Sequence, residues 1–551
     1  MLLAAGTQPR SDFRTLRILC TGDLHCQAAS MPDFASAGLP RRLLGGWHGL
    51  KRLIEQERTD ASLLLDCGDF AFGSAESDST QGRIAVEFMN LCGYDAACFG
   101  ARDFNGGLAN LEVLATTAQF PILADPLLDA LLHRQVPLFR PYCVKRVAGI
   151  RVGIVGITDP SVSFYNLRRN TGGFSVDEPL KQARRYLAAL REESVDITLV
   201  LAHVDTRTAV VLAESLSGVD LIICAGSAMD IDSPLPAGSQ VPIVRNGVYG
   251  QRLGEVDILF NLRERKVYQC EARVLNVEPL KASGEKQVGV GSNEPYLDCV
   301  LATAQCEFGP ELAGRVMLST LAARAVAEQS QADIAIVPIE LLEAGLTVGP
   351  LRRRDLIAAF PYRDPLRLIF LPESLLPEVV RPKGASDDQW APAIWGADYF
   401  VAGDTGRWPV LGQLVGPRLR IRQRRPIKLV APEWWIERTS LTDRGRLLPS
   451  NLTDSWLAYA AHASTLAPTD TVRVMLAGAL SRPAAARDLI NINTADAALL
   501  QTLPGIGPAT AQRIIEYRNQ RGLFQSVDEL DNVKGIGPKK LEKIRPLVTV
   551  R

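Results

Sequence analysis

The sequence predicts a multidomain α/β protein that ends in a small all-α module. Three observations predict it. The chain has 551 residues and 47% apolar composition, enough for about three domains of roughly 100–200 residues. Short apolar runs ending in Gly or Asp alternate with helical stretches from Leu16 to about Val274. In the last sixty-odd residues Gly-Ile-Gly occurs twice between helical stretches.

The apolar runs are LRILCTGD, ASLLLDCGD, DAACFG, VGIVGITD, ITLVLAHVD and VDLIICAGS. Strands that alternate with helices pack as a layered α/β domain whose strand-end loops carry the chemistry. The polar stretch at 281–295, KASGEKQVGVGSNEP, reads as a linker. Residues 296–430 again mix helix (LSTLAARAVAEQS) with strands (ADIAIVP, LRLIFLP), which predicts a second α/β domain. The basic run RLRIRQRRPIK that closes it reads as a solvated edge strand. Residues 431–486 show no assignable pattern and are expected to form a connector with some helix.

Lys and Arg (61) balance Asp and Glu (61), so no global field draws the chain to nucleic acid or to an anionic membrane, and any such attraction is local. No stretch approaches the ~18 apolar residues of a membrane span. The opening MLLAAGTQPR is too short for a secretory apolar region, so no export signal is expected in the chain as written. Ten cysteines without a CxxC pair fit neither a disulfide scaffold nor a zinc ribbon, and most are expected to be buried apolar residues. Only five histidines (25, 48, 133, 203 and 462) are available to ligate metal.

Two-metal phosphoester chemistry needs a bridging carboxylate and a ring of His, Asp and Asn on loops at strand ends. Gly22-Asp23-Leu24-His25 and Gly68-Asp69 begin such a set. GDLH, DCGDF, GYDAACFGARDFNGG, LVLAHVD, VDLIICAGSAMD and VPIVRNGVYGQRLGEVDILF, in this order, resemble the calcineurin-like metallophosphoesterase domain of the 5′-nucleotidase family. ADIAIVPIELLEAG, LRRRDLIAAFPYRDPL and ADYFVAGDTG resemble that family's C-terminal substrate-binding domain. The resemblance implies a four-layer α/β/β/α metallophosphoesterase domain at 14–275, a linker at 276–295 and a second α/β domain of 5′-nucleotidase C-terminal type at 296–430. In that family the two domains close on a nucleotide and water attacks its phosphate.

Departures from the family pattern set the functional expectation. The family's Gly-Asn-His-Glu segment is here Gly100-Ala101-Arg102-Asp103, so a metal ligand and the assisting His are replaced. Its Gly-His-Thr-His segment aligns with Ala225-Gly226-Ser227-Ala228. By analogy Asp23, His25 and Asp69 would serve one metal, and Asp69 with His203 the other, leaving both short of ligands, with His48 as a further candidate. The reading is therefore a pseudoenzyme without cofactor in which the Arg102 guanidinium substitutes for metal between Asp23 and Asp69. If activity survives, a divalent cation (Mn, Co or Zn) is implied, or a soft-metal site built from Cys26, Cys67, Cys98 and Cys224. In the second domain Pro338-Ile339-Glu340-Leu341-Leu342 replaces the Gly-rich substrate turn, while Tyr362 and Trp408 fall at or near the base-stacking positions or else in the core.

The final segment offers a nucleic-acid grip. A tight Gly turn between two helices points N–H groups at a phosphate, and nearby lysines neutralise its neighbours. The first turn is Pro504-Gly505-Ile506-Gly507-Pro508 and the second Lys534-Gly535-Ile536-Gly537-Pro538. Residues 487–551 resemble the ComEA-type competence DNA-receptor domain, a tandem helix-hairpin-helix. Asn493, Thr494 and Asp496 are expected to cap its first helix. Lys534, Lys539, Lys540 and Lys543 surround the second turn, whereas the first has only Arg513 a turn into its helix, so phosphate is expected mainly at the second. The implied function is sequence-independent DNA binding on an inactive 5′-nucleotidase-like scaffold. The alternatives are a metal-dependent phosphoesterase acting on nucleotides or DNA ends, and a protein-interaction or assembly module. Family analogy places such a protein outside the cytoplasm.

Overall fold

Side chains along the first strand, Phe13–Thr21, alternate as a sandwich requires: Leu16, Ile18 and Cys20 enter one core while Leu19 is buried on the opposite face. The computed structural model describes residues 12–34, 41–124, 140–158, 176–225, 241–245, 247–279, 295–309, 312–380, 392–398, 418–419, 426–441 and 444–467. In the C-terminal segment it describes 490–493, 500, 503, 506–521, 524, 526–537, 540–541, 544–545 and 548–549. The chain divides into two compact units, the smaller of which contains Thr469–Arg551.

The first sheet runs Lys266–Asn276, Arg252–Asn261, Phe13–Thr21, Ser62–Asp66, Ala96–Cys98, Ile122–Leu123. Its first two pairings are antiparallel and the rest parallel. A second sheet runs Ile243–Arg245, Leu221–Ala225, Ile197–His203, Ile150–Thr158, Tyr142–Val147, parallel except for its last pair. Their facing sides share one core, in which Ile18, Leu65 and Ala96 meet Ile154, Leu199 and Ile223. On the other face of the second sheet, Val155, Val200 and Ile222 pack under helices Pro179–Leu190 and Thr206–Ser215. Helix Trp47–Glu57 packs on strand Arg252–Asn261, and its Trp47 stacks on Phe88 of helix Arg83–Cys92 at 4.6 Å.

This topology positions a site. In register, Thr21 lies beside Asp66 and Thr158 beside His203, so the parallel strands of each sheet end together. The loops at such carboxyl ends are where open α/β sheets bind ligands.

The second α/β domain carries a five-stranded sheet, in the order Pro392–Trp395, Ile334–Pro338, Ile427–Pro432, Pro365–Leu371, Arg446–Asn451. Two expectations are corrected here. Residues 431–486 are not simply a connector, because strand Arg446–Asn451 and helix Leu452–Ala463 complete this domain. Trp434, Trp435 and Trp456 are fully buried, and Trp456 donates through Nε1 to the Leu356 carbonyl at 3.1 Å. The basic run also ends differently from an edge strand: Ile427 and Lys428 open a strand flanked on both sides, with Lys428 Nζ donating to the carbonyls of Ser330 and Gln331.

Candidate functional site

Asp23, His25, Cys26 and Asp69 all adopt positive φ (50°, 49°, 55° and 55°). That conformation is strained for residues other than glycine and persists only where its surroundings enforce it. Interlocking backbone bonds do so: Asp23 N–H to Gly68 O, His25 N–H to Asp69 O and Cys26 N–H to Phe70 O. Asp103, fully buried, accepts from the N–H groups of Asp69, Ala71 and Gly100 and ties a third loop to them. Gly100 is required where it is, since a Cβ there would overlap Asp69 Oδ1.

The structure brings Asp23, Asp69 and His203 together, with one donor atom of each within 4.8 Å of the others. His203 Nε2 lies 3.2 Å from Asp69 Oδ2 and 4.0 Å from Asp23 Oδ1. Its Nδ1 faces the Cys67 carbonyl at 2.9 Å, and His25 Nδ1 faces that of Phe72 at 2.9 Å. Both imidazoles thus turn Nε2 toward the carboxylates, the orientation that second-shell carbonyls give metal-binding histidines. His25 Nε2 reaches Asp23 Oδ1 at 3.8 Å but stands outside the triad. The grouping differs from the expected one, in which His25 shared a metal with Asp23 and Asp69.

This donor set suits one divalent cation with three protein ligands and open positions. Among the described residues no second such cluster is found. Ala101, which stands in place of an Asn ligand, offers no donor, and positions 226–228 lie outside the described residues. His48 belongs to no such cluster among the described residues. The thiolate alternative fails for a physical reason: Cys67 and Cys98 are buried in the inter-sheet core, where burial pushes both thiols well up, and Cys224 packs in the core on the opposite face of its sheet.

Burial alone would depress the His203 imidazolium. The Asp69 carboxylate, with Asp23 behind it, outweighs burial and pushes His203 up to about 10. Burial likewise raises Asp69, but the charge and hydrogen bond of His203 hold it at about 2. The basic group that faces the two carboxylates is therefore His203 rather than the Arg102 guanidinium.

Arg102 goes elsewhere. Its backbone N–H donates to Asp69 Oδ1 at 2.7 Å, while its guanidinium pairs with Glu343 Oε1 at 3.0 Å and lies 4.2 Å above the Tyr362 ring. The Tyr249 hydroxyl donates to the Glu343 carbonyl, which fastens the same acid from another side. Tyr362 is thus buried beneath Arg102, and its hydroxyl has no hydrogen-bond partner among the described residues. Glu343 and Tyr249 were not foreseen. The available signal was a new buried arginine, which requires an acid somewhere. Trp408 lies outside the described residues.

In the C-terminal unit the described backbone hydrogen bonds of the two hairpins repeat thirty residues apart. Leu503 N–H bonds Leu500 O and Ile506 N–H bonds Leu503 O; Val533 to Leu530 and Ile536 to Val533 do the same. Gly507 O accepts from the N–H groups of Thr510 and Ala511, and Gly537 O from those of Lys540 and Leu541. Ile506 and Ile536 anchor both turns in the common core. Gly535 has φ 104°, which only glycine adopts freely. Gly507 and Gly537 show no such φ, and a Cβ at either would meet nothing within 4 Å.

Lys534 and Lys540 stand at the second turn, with Lys540 Nζ on the Gly535 carbonyl at 2.7 Å. Gly505, Lys539 and Lys543 lie outside the described residues, as do Thr494 and Asp496. The helix start that Asn493 was expected to cap lies outside the described residues. The Asn493 side-chain amide brackets the Phe524 backbone, donating to its carbonyl at 2.9 Å and accepting from its N–H at 2.8 Å.

Comparison with known proteins agrees with this division. Residues 485–549 match the family model described as helix-hairpin-helix motif. Mouse 5′-nucleotidase is 27% identical over 277 residues, covering 46% of this chain and 48% of that protein. A Salmonella typhimurium 2′,3′-cyclic-nucleotide 2′-phosphodiesterase/3′-nucleotidase is 24% identical over 329 residues, 50% of this chain and 49% of its own length. The chain has 5′-nucleotidase homologues. It spans about half the length of these curated relatives. The 5′-nucleotidase precursor from Thermus thermophilus superposes with a TM-score of 0.68 at 18% identity, over 83% of this chain and 98% of its own. The sulfate thiohydrolase SoxB from the same organism does so at 0.63 and 18%, over 84% and 96%. These structures share the multidomain α/β fold. No helix among the described residues is long and apolar enough to cross a membrane.

Proposed function

We propose that this protein binds DNA without sequence preference through its C-terminal helix-hairpin-helix pair, carried on a 5′-nucleotidase-like scaffold that lacks a two-metal hydrolytic centre. One observation carries the reading: Gly507 and Gly537 are glycines that neither backbone conformation nor internal packing demands. With no side chain at either position and open space beyond, a ligand can approach the backbone closely there. Each of these glycines sits at the start of a helix, where free N–H groups favour an anion. With Lys534 and Lys540 beside one of them, a phosphodiester backbone fits best.

Contacts to backbone rather than base edges make binding salt-sensitive and indifferent to sequence. A mobility-shift titration of the full chain at several salt concentrations, with Lys539→Glu/Lys540→Glu as comparison, tests this. Retained affinity in that double variant, or affinity indifferent to salt, sinks the assignment.

A second reading, a phosphoesterase using a single cation, is favoured specifically by the Asp23–Asp69–His203 cluster. Here Asp23 and Asp69 would supply anionic oxygens and His203 a nitrogen, and the cation, when bound, would polarise a phosphoryl oxygen or water. Elemental analysis of the purified protein, together with a phosphatase assay with added Mn, Co or Zn and an Asp69→Asn control, decides between the readings. A metal-loaded wild type that hydrolyses nucleotide monophosphates would replace the scaffold reading.

A further inference from the structure

Arg513 belongs by sequence to the first hairpin, one turn into the helix Pro508–Arg521. In the structure its exposed guanidinium serves the second. Nη1 donates to the Lys534 carbonyl at 3.1 Å. The guanidinium crosses directly over Gly535, where an added Cβ would come within 3.1 Å of Nη1. From the other side, Lys540 Nζ holds the next carbonyl, that of Gly535 itself. Two successive carbonyls of the turn are therefore each bonded to a cation, one from each hairpin.

We infer that Arg513 is the positioning residue of the second turn: by fixing the Lys534 carbonyl it orients the turn's backbone for a DNA phosphate, so the two hairpins make one grip rather than two independent ones. This rests on the DNA-binding reading above. Two features separate it from a plain surface charge. The bond goes to a backbone carbonyl, so a peptide plane is fixed as well as a potential supplied. The glycine at 535 is demanded by its φ of 104°, and the arginine lies directly against it. In the first turn Thr510 stands in place of Lys540, and the sequence has Pro504 in place of Lys534.

The test uses the full chain with Arg513→Ala and Arg513→Lys, read in two ways. Hydrogen exchange of the free protein should show the amides of residues 534–537 exchanging faster in Arg513→Ala, with the thermal midpoint unchanged. DNA titrations should show binding weakened about tenfold, as loss of one charge-assisted hydrogen bond would produce. The salt dependence should stay parallel to wild type, and Arg513→Lys should not restore affinity. Unchanged exchange, full rescue by Lys, or a slope reduced by about one, the mark of a direct phosphate contact, would each overturn the positioning role. Failure of the wild type itself to bind DNA would fell the DNA reading instead, while the exchange measurement still judges the clamp.

Discussion

The strand-end cluster and the second hairpin turn are both built from loop backbone and charged side chains, yet they use their charges in opposite ways. At the strand ends, Asp23, His25, Asp69, Arg102 and His203 are all buried and answer one another or Glu343. At the turn, Arg513, Lys534 and Lys540 are cationic groups close to solvent, and Gly537 borders empty space. Burial converts a charge into a structural obligation, because an unpaired ion away from water is costly. Exposure leaves it free for a partner. Substitutions in the two regions should therefore separate, the first set acting on stability and the second on binding.

The largest effect is expected for His203→Ala, which leaves Asp23 and Asp69 facing each other in the interior. Chemical denaturation should show a loss of about 3–5 kcal/mol. The same pair gives a pH signature. The folded His203 lies near 10, above its ordinary 6.5, so its stabilisation is complete below about pH 6.5 and is lost as pH rises toward 10. Asp69 is held at about 2, below its ordinary 3.8, so its share is present above 3.8 and is lost as pH falls toward 2. The gap between wild type and His203→Ala should accordingly narrow between pH 6.5 and 10. A gap that stays constant there would mean His203 is neutral in the folded protein.

Next in size, Lys539→Glu/Lys540→Glu should weaken DNA binding by about a hundredfold or more while leaving the melting curve in place. If the melt moves as far as that of His203→Ala, the contrast between the two regions fails. Arg102→Ala should cost about 2 kcal/mol, since Glu343 loses its partner in a site that is only slightly exposed. Gly537→Ala is the finest test. Stability should stay within about 0.5 kcal/mol because the new methyl meets nothing in the chain, yet mobility shifts should show weakened DNA binding. Unaltered binding would remove the close approach on which the functional reading depends.

Local features were legible in the sequence, and pairings across distance were not. Asp23, His25, Asp69 and His203 could be placed because each follows or ends an apolar run that could only be a strand. The Gly-Ile-Gly turns could be placed because glycine and proline fix turn geometry locally. Arg102 was recognised as buried charge but assigned to the nearest carboxylates, whereas its partner Glu343 lies 241 positions away in sequence. Trp434, Trp435 and Trp456 gave no usable pattern, because what buries them is a sheet assembled from strands at 334, 365, 427 and 446. Arg513 was counted with the hairpin that contains it. A helix side chain reaches sideways, and nothing in its own neighbourhood reveals which turn lies there.

Among the described residues, the thirty-residue register repeats in the first hairpin the backbone bonds of the second. Thr510 sits where Lys540 does, with the same backbone bonds around it. Exchanging Thr510 for lysine would thus place a cation in a backbone geometry that already exists. A gripping surface of this kind can be extended by recolouring an unused copy, without any change to the backbone that carries it.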